Sequence, residues 1–219
     1  MVSANLEDRS HQIYATDAWI NKPGQESLSG LGSEAAVVKE IARPLSDRLK
    51  SLNAQSVIDV GCGDFRSFID CQFNGRYAGV DIVGDVIADN SRRYGGAMRE
   101  FRRLDTVVGP LPKADVVLLR EVLFHFSFKD AKRVLRNVTS SGAKHLIATN
   151  DNAIWFNSNI SSGDFRKLNL MKRPFCLPPP CHENDDRLVA RGRVLATWKV
   201  ECLPSFDEAN FLAQNSEPL

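Results

Sequence analysis

The segment Ser56–Phe68, reading SVIDVGCGDFRSF, constrains the fold of this chain more than any other stretch. An apolar run reaches Val60, and a Gly-Cys-Gly turn follows at once. Such a run, closed by a glycine turn and continued by a helical pattern, reads as a buried strand feeding a helix. Gly61 and Gly63 let the backbone approach a ligand at angles that a Cβ would forbid. The turn also leaves helix N-terminal N–H groups facing outward. Dinucleotide enzymes place a third glycine three residues later, for close packing beside a pyrophosphate. This chain has Arg66 there, and Asp59 just before the turn would repel phosphate. The loop therefore suits a nucleotide-type ligand without phosphates.

The following segments extend the pattern. Arg76–Val83 reads as a second apolar strand with Asp81 near its end, about twenty residues past the turn, where an acid can grip ribose hydroxyls. A third strand is expected over Glu100–Leu104, followed by Asp105, and a fourth over Asp115–Leu119, leading into REVLFHFS. One aspartate in such a place is commonly a turn or cap residue. Asp59, Asp81 and Asp105 together, at the C-terminal ends of successive strands, mark the edge where open parallel sheets bind ligands.

These pieces, DVGCGDF, GVDIV, Asp105 and REVLFHFS, resemble motifs I to IV of class I S-adenosylmethionine-dependent methyltransferases over about Ser56–Thr149. An upstream SGLGS (Ser29–Ser33) and the downstream Gly163–Pro180 are similar to one bacterial-type subgroup. That subgroup carries Arg-Asp where this chain has Arg120-Glu121, a departure that changes the reach of the acid. The resemblance implies an α/β fold: a Rossmann-like, seven-stranded, mostly parallel sheet with helices on both faces. It implies S-adenosyl-L-methionine as cofactor. Asp59, Gly61 and Gly63 would hold its methionine portion, Asp81 its ribose and Asp105 its adenine amine, with Ser33, Cys62 and Ile82 also among the cofactor-binding residues. Arg120 suits the cofactor carboxylate, an anionic substrate, or a surface position beside the strand.

Length and charge agree with one enzyme domain over 1–219. At 219 residues, 43% hydrophobic and 25% charged, the chain can bury one substantial core. A formal charge of +1 gives no global field toward nucleic acid or membrane. No apolar stretch is long enough to span a bilayer and no signal core opens the chain, so a cytoplasmic location is expected. The five cysteines are scattered without C-x-x-C spacing, so no metal site is expected. Cys62 sits where a helix N-terminus tends to lower a thiol pKa, yet a small residue filling a tight loop is the better reading.

Residues 1–32 are polar and irregular, with Tyr14, Trp19 and a Pro-Gly turn, and read as an arm or lid. Ser33 looks like the N-cap of a helix running to about Leu52, with Val37, Val38, Ile41, Ala42, Leu45 and Leu49 on one face. Pro44 predicts a kink or split in it. Ser127 and Asp130 form a capping pattern before a helix whose buried stripe is Ala131, Val134, Leu135 and Val138. Lys144–Thr149 is a fifth strand, and the alternation argues a parallel sheet with right-handed crossovers. Residues 150–186 have no sustained period. Their aromatic residues, Trp155, Phe156, Phe165 and Phe175, argue for burial, and this irregular insert reads as the acceptor-side wall. Leu195–Leu203 reads as a closing strand with Leu188–Arg191 beside it.

Methyl transfer draws much of its acceleration from alignment, but a protonated oxygen or amine acceptor still needs a base. His125 is the leading candidate, because it follows the fourth strand and imidazole titrates near neutrality. A histidine between Phe124 and Phe126 can equally serve as a core hydrogen-bonding residue. Glu121 and Asp151 are the other candidate bases. Trp155, Arg166 and Asn169 are expected to face the substrate, a small molecule or saccharide taking the methyl group on oxygen. The arginines at 92, 93, 99, 102 and 103 read first as protection of an outer strand and second as an RNA-facing patch. An RNA methyltransferase and an inactive cofactor-binding partner subunit are the alternative readings. Near-neutral charge and the lack of an RNA-binding appendage argue against the former, and monomer or homodimer is the expected state.

Overall fold

The structure, a computed structural model, describes residues 35–186 and 189–207, with side chains from residue 39 onward. The arm at 1–32, Ser33, the side chains of Val37 and Val38, and Leu188 lie outside the described residues. A helix α1 (Ala35–Ser51) precedes β1 (Ser56–Val60), a short α2 (Arg66–Ile69), β2 (Arg76–Asp81) and α3 (Gly84–Tyr94). Then come β3 (Arg99–Arg103), β4 (Val116–Leu119), a 3-10 turn at Leu123–His125, α4 (Phe128–Ser140) and β5 (His145–Asp151). The chain closes with β6 (His182–Asp185), β7 (Arg193–Lys199) and a 3-10 turn at Val200–Cys202.

The strands form one seven-stranded sheet in the order β3-β2-β1-β4-β5-β7-β6. The pairings from β3 to β5 are all parallel, whereas β7 runs antiparallel to both β5 and β6. Period-two alternation sorts the side chains onto two apolar layers. Ile58, Val60, Val117, Leu119, Leu146 and Trp198 meet α4 on one face. Val57, Tyr77, Val116, Leu118 and Ile147 meet Ile41, Leu45 and Leu49 of α1 and Ile87 of α3 on the other. The Rossmann-like α/β expectation therefore holds.

The expected N-cap of α4 is present: Ser127 Oγ accepts from the Asp130 N–H at 3.2 Å. Its stripe of Ala131, Val134, Leu135 and Val138 is fully buried. At about 1.5–3 kcal/mol per Val or Leu, this face alone fixes the helix on the sheet. Strand β3 lies at one edge of the sheet. Only Phe101 is buried along it, and Arg99, Arg102 and Arg103 stay exposed. Arg102 pairs with Glu100, and Arg92 and Arg93 pair with Asp89. That arrangement matches the edge-protecting reading.

Several expectations need correction. α1 runs unbroken through Pro44, because Ile41, Leu45 and Leu49 pin it on either side. The acceptor that Pro44 leaves without its helical donor is the carbonyl of Glu40, an exposed residue. The third strand begins one residue early, and β5 continues to Asp151 because β7 pairs with it over its whole length. The closing strand spans Arg193–Lys199 rather than Leu195–Leu203, since the chain turns at Val200. Its outer neighbour is β6, and of the expected partner Leu188–Arg191 the described residues Val189–Arg191 form the turn that leads into β7. The insert is not wrapped around its aromatic residues either. It buries Leu168, Leu170, Phe175 and Leu177 against the α4 face, while Trp155, Phe156 and Phe165 stay exposed.

Candidate active site at the ligand edge of the sheet

The glycine turn after β1 is bound to β2. The Gly61 and Cys62 N–H groups both donate to the Val80 carbonyl, at 2.8 and 3.2 Å, and Gly63 N–H donates to Asp81 Oδ2 at 3.1 Å. Gly61 and Gly63 adopt left-handed φ values of 68° and 52°. A Cβ on Gly61 would stand 2.7 Å from Val122 Cγ2. Phe65 also takes a left-handed φ, 64°, a strain that non-glycine residues tolerate only when packing holds them. Its ring supplies that packing, meeting Tyr77 and Phe101 edge-on with centroids at 5.1 and 5.3 Å. Buried Asn90 of α3 donates from Nδ2 to the Gly63 carbonyl at 2.7 Å. Phe65 closes the DVGCGDF segment, although the motif assigns it no role, and Asn90 is not marked by the sequence pattern.

Asp59 and Asp81 are both buried beside this turn. Burial raises the Asp59 carboxyl to about 7, although Tyr77 Oη donates to it at 2.8 Å and Arg120 lies near. Asp81 accepts from Gly63 and Val83 N–H groups, yet burial still raises its carboxyl. Ile82 follows it, half-buried against the core. Asp105 lies two residues past β3 and caps its own turn, accepting from Val107 N–H at 2.9 Å. The Cys62 thiol is buried, and desolvation with the Asp81 and Asp59 charges pushes its pKa well up. A raised, buried thiol agrees with the preferred reading of Cys62 as a small residue filling a tight loop.

Beyond β4, Glu121 takes a left-handed φ of 61°, its N–H donating to Thr149 Oγ1 at 2.9 Å. Both of its carboxylate oxygens accept from Arg193 Nη1, at 3.1 and 3.0 Å. The same guanidinium grips Asp151 through Nε at 2.9 Å and Nη2 at 3.2 Å, and lies 4.9 Å from the Phe124 ring centroid. Asp151 further accepts from Leu168 N–H at 3.0 Å. Its carboxylate is thereby committed to joining β5, β7 and the insert. Buried Arg120 stands 3.6 Å from Asp186, and its Nε and Nη2 have no hydrogen-bond partner, nor has Asp186 Oδ2. Asp186 and Arg193 completed this cluster without any local sequence signal.

His125 is half-buried on the 3-10 turn, with Nδ1 3.0 Å from the Asp164 carbonyl. Burial lowers its pKa to about 4; the Asp164 bond opposes this, and the Arg193 and Arg166 charges add to it. Arg166 is not laid out for substrate. It is buried, donates from Nη1 to the Phe126 carbonyl at 2.5 Å, and stacks 5.0 Å from the Phe128 centroid. Burial lowers its pKa to about 10. Asn169 is likewise spent inside the insert: Nδ2 donates to the Ile154 carbonyl, and Oδ1 accepts from Met171 N–H. Trp155 alone of the three expected substrate residues is open to solvent.

No known family profile matches this chain, and no curated protein matches it significantly. Solved structures do. TnmH superposes with a TM-score of 0.64 at 14% identity, over 90% of this chain and 60% of its own. The mitomycin 7-O-methyltransferase MmcR gives 0.55 at 13%, over 76% of this chain and 55% of its own. Human N-acetylserotonin methyltransferase, crystallised with SAM, gives 0.51 at 11%, over 90% of this chain and 66% of its own. The chain thus spans 55–66% of the length of these proteins. At such identities the likeness establishes the fold: a class I, Rossmann-like sheet of the kind that S-adenosylmethionine-dependent methyltransferases use. Among the described residues, no helix is long and apolar enough to cross a membrane.

Proposed function

We propose that the chain is an S-adenosylmethionine-dependent methyltransferase that methylates a hydroxyl of a small molecule or saccharide. The observation that carries this reading is the pair of buried acids, Asp59 and Asp81, set at a left-handed glycine turn. Buried carboxylates with raised pKa values and little compensating charge suit a ligand that brings its own positive charge and hydroxyl donors. Arg120, ion-paired with Asp186 but with two nitrogens that lack a hydrogen-bond partner, suits a carboxylate. An amino-acid sulfonium joined to a nucleoside has all three features, so these residues fit S-adenosylmethionine.

S-adenosylmethionine held there would supply the methyl group, its sulfur keeping the electron pair of the broken bond as the acceptor oxygen takes the carbon. Asp81 takes the ribose, Asp59 the ammonium side, and Asp105 the adenine amine. His125 takes the acceptor proton: with Nδ1–H donating to Asp164, the lone pair lies on Nε2. Glu121, held by Arg193, adds negative charge at the end of β4. Asp151 is assigned to structure rather than catalysis, since its oxygens are already engaged.

Calorimetry tests the reading. Wild-type protein should bind S-adenosylmethionine and not NADH. Asp81→Ala should weaken that binding by about 1.5–3 kcal/mol, the range for hydrogen bonds to a charged group. Unchanged affinity in a folded Asp81→Ala protein removes the ribose assignment, and preference for NADH removes the whole reading.

A further inference from the structure

Two aromatic rings flank His125. Phe124 is buried at a centroid distance of 4.8 Å. Phe165 stands at 5.7 Å and touches Phe124 at 5.2 Å, yet remains 57% exposed. Its backbone is not loose. Gly163 N–H donates to the His125 carbonyl at 2.8 Å, and Arg166 N–H to the Phe124 carbonyl at 3.1 Å. The Asp164 carbonyl holds the imidazole. The fold thus clamps a hydrophobic ring in solvent, directly beside the candidate base.

Trp155 and Phe156, 84% and 80% exposed, follow the C-terminal end of β5 on the same insert. Their turn is also tied down: Asn169 Nδ2 reaches the Ile154 carbonyl, and Asn157 Nδ2 reaches the Asn169 and Arg173 carbonyls. Single exposed apolar residues are ordinary, but aromatic residues held in solvent by a hydrogen-bonded backbone suit a recognition surface. Arg193 of β7 and Arg166 of the insert both lie near His125, but Arg193 is already paired with Glu121 and Asp151.

We infer that the acceptor is an aromatic hydroxyl compound, its ring laid against Phe165 and its hydroxyl directed at His125; this rests on the methyltransferase reading above. The proton chemistry agrees. An imidazole with a pKa of about 4 is a poor base for an aliphatic hydroxyl, whose proton is bound about as tightly as that of water at about 15.7. A phenol, at about 10, is far closer.

The experiment loads the protein with S-adenosylhomocysteine and measures ligand binding by saturation-transfer NMR. The probes are 1-naphthol, its saturated counterpart decahydro-1-naphthol, and methyl glucoside. Naphthol should bind about tenfold or more tightly than either aliphatic hydroxyl, and Phe165→Ala should remove about that factor. Phe165→Tyr should keep it, and S-adenosylhomocysteine affinity by calorimetry should be the same in all three proteins. Equal binding of the saturated alcohol or the glucoside, no binding of naphthol, or an unaltered Phe165→Ala protein overturns the inference while the methyltransferase reading stands. Failure to bind S-adenosylhomocysteine at all overturns that reading, and the inference with it.

Discussion

Replacing Arg193 by methionine should be among the most damaging single changes available in the described fold. The side chain is 2% exposed and joins Asp151, 1% exposed, to the more open Glu121. Methionine fills most of the volume but leaves the two carboxylates without the cation that joins them. Breaking a buried pair from one side costs about 3–5 kcal/mol, against a typical total stability of about 5–15 kcal/mol. The lost stacking on Phe124 belongs to the same figure and is not added to it. Urea unfolding at pH 8 should show that cost as a lower midpoint with an unchanged slope.

The pH dependence makes the test specific. Burial holds the Glu121 carboxyl above its ordinary value, while Arg193 and then Arg120 pull it down. Without Arg193 the folded value rises further above the unfolded one, at about 4.3. A raised carboxyl pKa is stability present in acid and lost as pH rises through the folded value. The penalty of Arg193→Met should therefore shrink toward pH 5 and be full at pH 8, and adding Glu121→Gln should recover part of it. A cost below about 1 kcal/mol, the same at both pH values, would show that the cluster behaves like a screened surface pair and refute the argument.

Three further outcomes are expected. Gly61→Ala forces a Cβ into a left-handed position 2.7 Å from Val122 Cγ2; about 1–2 kcal/mol of backbone strain plus the clash should lower thermal stability and abolish S-adenosylmethionine binding by calorimetry. Asp59, at about 7, should make two quantities move oppositely between pH 6 and 8: ligand-free stability falls as the buried carboxyl ionises, while affinity for the cationic cofactor rises. Asp59→Asn should flatten both trends. His125→Ala should lower kcat by about 10²–10⁴ with cofactor affinity retained, and because imidazole is held near 4, the wild-type rate should show no histidine inflection near pH 6.5. Finding that inflection, and its loss in the variant, would restore the ordinary pKa to His125.

Much of the scaffold is legible in local sequence because its causes are local. The apolar runs at Ser56–Val60 and Val116–Leu119 need only their own composition to become buried strands. Ser127 caps α4 through an atom three residues away, and Gly61 and Gly63 announce a turn wherever they stand. Asp59 and Asp81 could be picked out because their places are fixed by strand ends.

What the tertiary structure decided depends on residues far apart in the chain. Arg193 meets Asp151 because antiparallel register sets β7 directly against β5, 42 residues away, and no local pattern encodes that register. The fate of each aromatic residue in the insert was equally non-local. Phe175 found the α4 face and was buried, whereas Phe165 was clamped beside His125 with its ring in water. The base strength of His125 also came from its surroundings, since burial and two guanidinium groups from distant segments displaced a value that the residue type alone would have placed near neutrality. Propensity and patterning act over a few residues. Burial, charge pairing and pKa are properties of what the completed fold brings together, so they appear only in three dimensions.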